Sequence, residues 1–273
     1  MTDILTCKNL SFRYKYGDKE VLKDVNLTLA KGDRVALIGR NGMGKSTLFL
    51  NLNGVYKPTG GQIFLEGQEL GSGKKDLRRL RQKVGLVFQN PDQQFIAPTV
   101  EGEISFGLFN LGKKEEEVRA KLEEVAHYLD IVPLLKKSTA ALSGGEKKLV
   151  SIASVLVMDP EVILFDEPTA GVDLYNRQVF QGVLKKLEDR SIGILMATHD
   201  NDFVWEWAQR VLLIHQGQIL FDGGTQDFFK REDLLATSKL MKPGLVRCQE
   251  ILKEKNIYSG PPLRTWEDLE KNL

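Results

Sequence analysis

The sequence has little cysteine, no long apolar run and no excess of either charge, and each shortage excludes a class of protein. Its 273 residues include 2 cysteines, Cys7 and Cys248, which lie far apart and form no C-x-x-C pair. This usage predicts two reduced thiols rather than a disulfide framework or a zinc site. The 38 Lys and Arg residues balance the 37 Asp and Glu residues to a net charge of +1, so the composition indicates no nucleic-acid partner.

Membrane-crossing and secretory signals are also missing. One of the longest apolar runs, V-L-L-I at 211–214, is far shorter than the ~20 residues that cross a bilayer. The N-terminal M-T-D has neither the basic nor the apolar part of a signal peptide. We therefore expect a cytoplasmic protein.

The strand signals change character along the chain. Residues 10–14 and 25–29 alternate apolar and polar side chains, which predicts antiparallel strands at one edge of the fold. From Val35 onward, short and fully apolar runs alternate with segments of helical spacing, which is typical of a parallel sheet covered by helices. These runs are 35–38, 84–88, 162–165 and 192–197. The predicted fold class is α/β.

Helical spacing is clearest at 112–137, where apolar residues recur every three or four positions. On its outer face we expect Glu115 to pair with Arg119, and Glu117 with Lys121. This helix belongs to an inserted helical segment predicted over about 90–160.

The pattern changes again near residue 225, where strand signals stop and the sequence becomes helical and polar. We predict one main domain over 1–225 and a small C-terminal segment over 226–273.

The stretch G-R-N-G-M-G-K-S-T at 39–47 joins an apolar strand to a helix and matches G-x-x-x-x-G-K-[ST]. Glycines allow backbone N–H groups at a helix N-terminus to surround a phosphate. In such a loop Lys45 supplies positive charge to the β- and γ-phosphates, Ser46 offers its hydroxyl to Mg²⁺, and Thr47 reaches a phosphate oxygen. This phosphate loop predicts binding of a nucleoside triphosphate. The residues assigned to it are Gly39, Arg40, Asn41, Gly42, Gly44, Lys45, Ser46 and Thr47.

Polar side chains follow three of the apolar strands. Asp166 ends one of them and is predicted to hold Mg²⁺, while the next residue, Glu167, is placed to polarise a water for attack on the γ-phosphate. Gln89 and His199 end two others, at the same edge of the sheet. Spacing alone leaves both a functional and a structural role open for Gln89 and His199.

The motif L-S-G-G-E at 142–146 completes a set. The phosphate loop, Gln89, L-S-G-G-E, V-I-L-F-D-E-P, A-G-V-D at 170–173 and T-H-D occur in a characteristic order and spacing. Over about residues 3–225 the chain resembles the nucleotide-binding subunit of ATP-binding cassette (ABC) transporters. The resemblance implies a P-loop NTPase fold of the ABC ATPase type, with an antiparallel β edge and an inserted helical subdomain, and with ATP and Mg²⁺ as ligands.

The resemblance also implies how the site works. Two chains would form a head-to-tail dimer around two ATP molecules, each held between the phosphate loop of one chain and L-S-G-G-E of the other. Lys45, Gln89, Glu167 and His199 would be catalytic, and Ser46, Gln89 and Asp166 would hold Mg²⁺. Further nucleotide contacts would come from Tyr14, Ser143, Gly144, Gly145, Glu146 and Asp173, with Asp173 in a loop that crosses the dimer interface. Tyr16 competes with Tyr14 as the residue that stacks on adenine.

A narrower resemblance lies in F-Q-N-P-D-Q-Q-F at 88–95, in the segment that follows it to residue 112, and in L-S-G-G-E-K-K. These look like the energy-coupling-factor branch, in particular the CbiO-type ATPase of cobalt and nickel importers. Leu149 and Val172 depart from the pattern, because the family usually has arginine and leucine there. Leu149 puts a helix-surface salt bridge in doubt.

This branch implies an ATPase at the cytoplasmic face of the cell membrane that drives import through separate coupling and substrate-binding membrane subunits. Its second ATPase subunit would be an identical chain or a close relative, with the C-terminal segment in the dimer contact. Three alternatives stay open: an ATPase of a vitamin importer, a soluble ABC ATPase of translation or DNA repair, and a non-catalytic nucleotide-binding module.

Overall fold

The computed structural model describes residues 2–169 and 174–273. Its strands are β1 (Asp3–Phe12), β2 (Leu22–Ala30), β3 (Arg34–Ile38), β4 (Gly60–Leu65), β5 (Gln68–Glu69), β6 (Val84–Val87), β7 (Val162–Asp166), β8 (Gly193–Ala197), β9 (Arg210–His215) and β10 (Gln218–Gly224). Its helices are α1 (Lys45–Leu52), α2 (Lys74–Lys83), α3 (Val100–Asn110), α4 (Glu115–Tyr128), α5 (Gly144–Leu156), α6 (Leu174–Asp189), α7 (Asn201–Trp207), α8 (Thr225–Phe229), α9 (Glu232–Ser238), α10 (Gly244–Glu254) and α11 (Trp266–Asn272).

The larger sheet has the strand order β10-β9-β3-β8-β7-β6. Strands β9, β3, β8, β7 and β6 run parallel, and β10 pairs antiparallel with β9. Every residue of β7 and β8 is buried, which explains why these strands are apolar without alternation. The predicted parallel sheet is confirmed, and the carboxyl ends of β3, β6, β7 and β8 meet at one edge of it.

A second, antiparallel sheet has the order β2-β1-β4-β5. Its central strand β1 places Cys7 opposite Leu27 on one side and Ile63 on the other. Leu5 and Leu10 of β1 are fully buried, so this sheet packs against the core with one face. The predicted antiparallel edge is confirmed.

Helices α3, α4 and α5 lie between β6 and β7 in the chain and share one core with the larger sheet. Helix α4 buries its apolar stripe as predicted, but it ends at Tyr128, well before residue 137, and Asp130 has a left-handed φ of 59°.

The two ion pairs expected on the surface of α4 are wrong: among the described residues, neither Glu115 with Arg119 nor Glu117 with Lys121 forms a salt bridge. Glu117 accepts a hydrogen bond from the backbone N–H of Lys114 and contacts Lys113, while Lys121 pairs with Glu124 and Asp159. A cap at the helix start competes with a surface ion pair, and exposed pairs contribute too little to decide the side-chain position. Leu149, where the family has arginine, instead packs against the core.

The C-terminal segment packs on α7 of the same chain. Trp205 Nε1 donates to Leu263 O at 2.8 Å, Asn201 Nδ2 donates to Met241 O at 2.7 Å, and Gly244 N donates to Asp202 Oδ1 at 2.6 Å. Apolar side chains from α8 to α11 belong to the same buried cluster as those around β7 and β8. The domain boundary near residue 225 and the dimer role of this segment stay predictions.

Within the described ranges, no helix combines the length and the apolar character that crossing a membrane requires.

Candidate functional site

The phosphate loop runs from the end of β3 into α1. Gly39 and Gly44 have positive φ angles of 152° and 105°. A Cβ on Gly39 would lie 2.4 Å from Ile214 O, so a side chain does not fit there. Lys45 Nζ donates to Gly39 O at 2.7 Å and closes the loop on itself. The N–H groups at the start of α1 are therefore presented to an anion, which is the geometry that a phosphate needs.

This loop forms one wall of a cleft of about 720 Å³. The cleft is lined by Tyr14, Val21, Asn41, Gly42, Gly44, Lys45, Ser46, Thr47, Gln89, Asp166, Glu167 and His199. The strand-end residues predicted from sequence thus converge on the loop from β6, β7 and β8. Gly39 and Arg40 belong to the loop without lining the cleft, and Asp173 lies outside the described residues.

Lys45, Glu167 and His199 form a cluster in this cleft. Glu167 Oε1 lies 3.3 Å from Lys45 Nζ and 2.7 Å from His199 Nε2, although neither contact has the angles of a hydrogen bond. Burial lowers the pKa of Lys45, and the negative charge of Glu167 opposes this shift. Burial and the nearby Lys45 charge lower the pKa of His199 against the pull of Glu167. His199 is therefore neutral at pH 7, and Asn41 Oδ1 lies 2.6 Å from its Nε2.

The residues proposed for Mg²⁺ fit a divalent cation. Asp166 is 8% exposed, and its Oδ1 is buried without a hydrogen-bond partner among the described residues. An unpaired buried carboxylate oxygen is costly, and Mg²⁺ prefers oxygen ligands of this kind. Ser46 and Gln89 line the same cleft and offer a hydroxyl and an amide oxygen to the ion.

The two tyrosines proposed for the adenine differ in position. Tyr14 lines the cleft, and its hydroxyl lies 2.9 Å from Thr47 Oγ1. Its ring packs edge-on against Phe12 and Tyr56. Tyr16 is 93% exposed and does not line the cleft. This arrangement favours Tyr14 as the stacking residue, and its stacking role stays a prediction.

The L-S-G-G-E segment lies apart from the cleft. Ser143 Oγ caps α5 by accepting from Glu146 N at 3.3 Å, and Glu146 Oε2 accepts from Ser143 N at 2.8 Å. The hydrogen bond from Lys137, with the bond from Ser143 N–H, lowers the pKa of Glu146 to about 2. None of Ser143, Gly144, Gly145 and Glu146 lines the cleft. The N-terminus of α5 is thus an exposed anion-binding end without a phosphate loop opposite it in the same chain.

One cleft neighbour was missed by the sequence reasoning. Lys148 Nζ donates to the backbone oxygen of Gln89 at 3.2 Å, and burial lowers the pKa of Lys148 to about 8 against the charge of Asp166. Lys148 lies one turn before the buried Ile152 of α5, so helical spacing places it on the inward face.

Comparison with known proteins gives the class. The sequence matches the family described as ABC transporter over residues 22–170. The energy-coupling factor transporter ATP-binding protein EcfA of Methanocaldococcus jannaschii is 40% identical over 253 residues, which cover 93% of this chain and 90% of that protein.

Two solved structures of ATP-binding cassettes resemble this chain. The structure of cbiO1 from Clostridium perfringens, described as part of the ABC transporter complex cbiONQ, has a TM-score of 0.77 and 33% identity, and the match covers 93% of this chain and all (100%) of that one. A dimeric ATP-binding cassette in a post-hydrolysis state, bound to ADP and phosphate, has a TM-score of 0.72 and 26% identity, with 81% of this chain and 99% of that one covered.

The chain belongs to the ABC transporter ATPase family, and it uses ATP with Mg²⁺. Within that family it is an ATP-binding subunit of the energy-coupling-factor type. The resemblance stated from the motifs, the α/β ABC ATPase fold, the ATPase activity and the two cofactors are confirmed. The transported substrate and the individual roles of the site residues stay predictions.

Proposed function

We propose that this chain is the ATP-hydrolysing subunit of an importer for cobalt or nickel. It acts at the cytoplasmic face of the cell membrane, together with separate coupling and substrate-binding subunits. The likeness to cbiO1 over nearly the whole chain carries the proposal, and the metal preference rests on the resemblance of residues 88–112 to CbiO-type ATPases.

We propose the following roles for the residues of the cleft. Lys45 binds the β- and γ-phosphates and neutralises their charge. Glu167 accepts a proton from the attacking water, which Gln89 orients. His199, neutral at pH 7, donates a hydrogen bond to the γ-phosphate. Ser46, Asp166 and Gln89 would hold Mg²⁺, which would supply positive charge to the phosphate oxygens.

The separation of L-S-G-G-E from the cleft supports a second ATPase subunit. The nucleotide cleft is lined by the N-terminus of α1, whereas the N-terminus of α5 in the same chain does not line it. A head-to-tail pair brings the α5 end of one chain to the cleft of the other, and so completes both sites. The pair contains two identical chains or this chain with a close relative.

A second cleft supplies the docking site that we propose for the coupling subunit. It has a volume of about 740 Å³ and lies between α2, the end of β6, α3 and α5. Lys74, Arg78 and Arg81 line it from α2, and Phe88 lines it directly beside Gln89. A helix of the coupling subunit in this cleft contacts both the segment 90–110 and the residue before Gln89, so closure of the dimer reaches the membrane subunits.

Affinity purification of the tagged chain from detergent-solubilised membranes tests the importer. We expect one integral membrane coupling protein and one substrate-binding membrane protein, identified by mass spectrometry. Recovery of ribosomal or DNA-repair proteins without an integral membrane protein contradicts the proposal and supports the soluble ABC ATPase.

The metal is tested with the recovered complex in vesicles. We expect ATP-driven uptake of radioactive cobalt or nickel, and loss of uptake when Glu167→Gln replaces the native chain. Uptake of a vitamin without uptake of either metal overturns the metal preference and keeps the importer. A chain that binds ATP without turnover even inside the complex is a non-catalytic module.

A further inference from the structure

We propose that Gln94 is a positioning residue that fixes Gln89 to helix α5. The proposal rests on the role of Gln89 given above. Gln94 does not line the nucleotide cleft, so it acts through the segment that it holds and not through contact with ATP.

The side chain of Gln94 uses its full hydrogen-bonding capacity. Its Oε1 accepts from Ser151 Oγ at 2.8 Å and from Phe88 N at 3.3 Å. Its Nε2 donates to Ser151 O at 2.9 Å and to Ser154 Oγ at 3.0 Å. A primary amide has two N–H donors and two acceptor positions, and all four are occupied here. Gln94 thus joins the residue just before Gln89 to the middle of α5.

Burial distinguishes Gln94 from its neighbour Gln93. Ser151 is fully buried, so water does not replace a bond that Gln94 gives up. The neighbouring Gln93 is exposed, and its side chain makes no hydrogen bond to any described residue. Two adjacent residues of the same type therefore differ in whether they bind α5.

Two lysines of α5 strengthen the same connection. Lys148 Nζ donates to Phe88 O at 3.4 Å and to Gln89 O at 3.2 Å, and Lys147 Nζ lies 2.7 Å from Asp92 Oδ1. Contacts from α5 therefore reach the segment on both sides of Gln89. Gln94 differs from the lysines because it accepts from the backbone N–H of Phe88, the residue after β6, whereas Lys148 donates to backbone carbonyl oxygens.

In the proposed pair, contact with the second subunit sets the position of helix α5. Ser143 and the N–H groups after it form the start of α5, which meets the nucleotide of the second subunit in the proposed pair. Because a helix of this length moves as one body, a shift at its first turn reaches Ser151 two turns later. Gln94 passes that shift to Phe88, and thus to Gln89.

Turnover of the chain paired with its second ATPase subunit, as recovered in the complex, tests the proposal. We expect Gln94→Ala to lower kcat for ATP by about 10-fold, which is typical when a group that orients a reacting residue is lost. KM for ATP and the dissociation constant of Mg·ATP should stay within about 2-fold, because Lys45 and α1 are unchanged. The matched control, Gln93→Ala, should keep the native kcat. Gln94→Met keeps the length of the side chain without its hydrogen bonds. It replaces Gln94→Ala if the alanine variant folds poorly, and we expect the same loss of kcat from it.

A double-mutant cycle separates positioning from general structure. If Gln94 acts through Gln89, then Gln94→Ala adds less than about 2-fold to the loss already caused by Gln89→Ala. Multiplicative losses, or native kcat in both Gln94 variants while Gln89→Ala is impaired, overturn the proposal. Native kcat in Gln89→Ala overturns instead the role of Gln89, which is a failure of the proposed function.

Discussion

Glu167 combines an unusual backbone with an unusual environment. Its φ is 48°, in the left-handed region that costs non-glycine residues free energy. The backbone N–H of Glu167 donates to Ala197 O at 3.0 Å, so the end of β8 holds this conformation. The carboxylate then faces Lys45 and His199 within the cleft and not solvent.

Replacing Glu167 by Gln keeps the shape of the side chain and removes its basicity. We expect Glu167→Gln to bind ATP with native affinity and to lose about 10²-fold or more in kcat, because general-base catalysis contributes at least this much. Steady-state turnover and equilibrium binding of Mg·ATP check this. Glu123→Gln on the exposed face of α4 is the control. Native turnover in Glu167→Gln would contradict the role of this carboxylate as the base.

We expect Lys45 to contribute to the binding of ATP. Its charge-assisted hydrogen bonds to phosphate are worth about 1.5–3 kcal/mol, so Lys45→Ala should weaken ATP affinity by roughly 10- to 100-fold. The exposed Lys57→Ala should leave it unchanged. A titration with a fluorescent ATP analogue measures both variants, and equal affinities would remove Lys45 from the phosphate site.

At the scale of single elements, the Cys7 thiol of β1 makes the folding stability depend on pH. Burial raises the pKa of this thiol from its ordinary value of 9.0 to about 12. Above pH 9 the unfolded chain releases the thiol proton while the folded chain keeps it. The contribution of Cys7 to folding is therefore complete below pH 9 and is lost between pH 9 and about 12.

The expected effect is measurable by denaturant unfolding. Between pH 8 and pH 10.5 the native chain should lose up to about 2 kcal/mol more stability than Cys7→Ala does, because each pH unit above 9 contributes at most ~1.4 kcal/mol. Using the difference between the two chains cancels the titration of lysines and tyrosines. An equal loss in both would show that the Cys7 thiol is accessible in the folded chain.

Elements also show what sequence reasoning reaches and what it misses. The phosphate loop, Asp166, Glu167 and His199 are predictable because each motif is short and follows a strand whose end is fixed by its apolar run. The contact between Lys148 and Gln89 depends on where α5 packs, 59 residues away along the chain. The ion pairs of α4 were wrong because surface charges have several partners of similar energy. The C-terminal packing on α7 was missed because helical spacing indicates which face of a helix is buried but not which element covers it.

At the scale of the whole molecule, the C-terminal segment shares the core of the main domain. Leu245 of α10 is 4% exposed and belongs to the same buried cluster as Phe165 of β7. We expect Leu245→Ala to lower the free energy of unfolding by about 2–5 kcal/mol, the usual cost of such a cavity. Unfolding should remain one transition, because the residues around the cavity do not form a separate core.

A nearby surface position provides the comparison. Ile251 lies on the same helix and is half exposed, so Ile251→Ala should change stability by less than about 1 kcal/mol. Calorimetry of both variants measures the effect. Two separate transitions, with only the smaller one shifted by Leu245→Ala, would show that the C-terminal segment folds independently.

The bonds between this segment and α7 also bear on synthesis of the chain. Met241 and Gly244 hold Asn201 and Asp202, the first residues of the helix that follows His199. The ribosome makes the phosphate loop first and these two residues some 200 positions later. The histidine side of the cleft therefore gains its support only late in translation. A nascent chain made only as far as His199 contains every residue that lines the cleft but lacks the bonds that hold the start of α7, and we expect it to bind nucleotide more weakly than the finished chain.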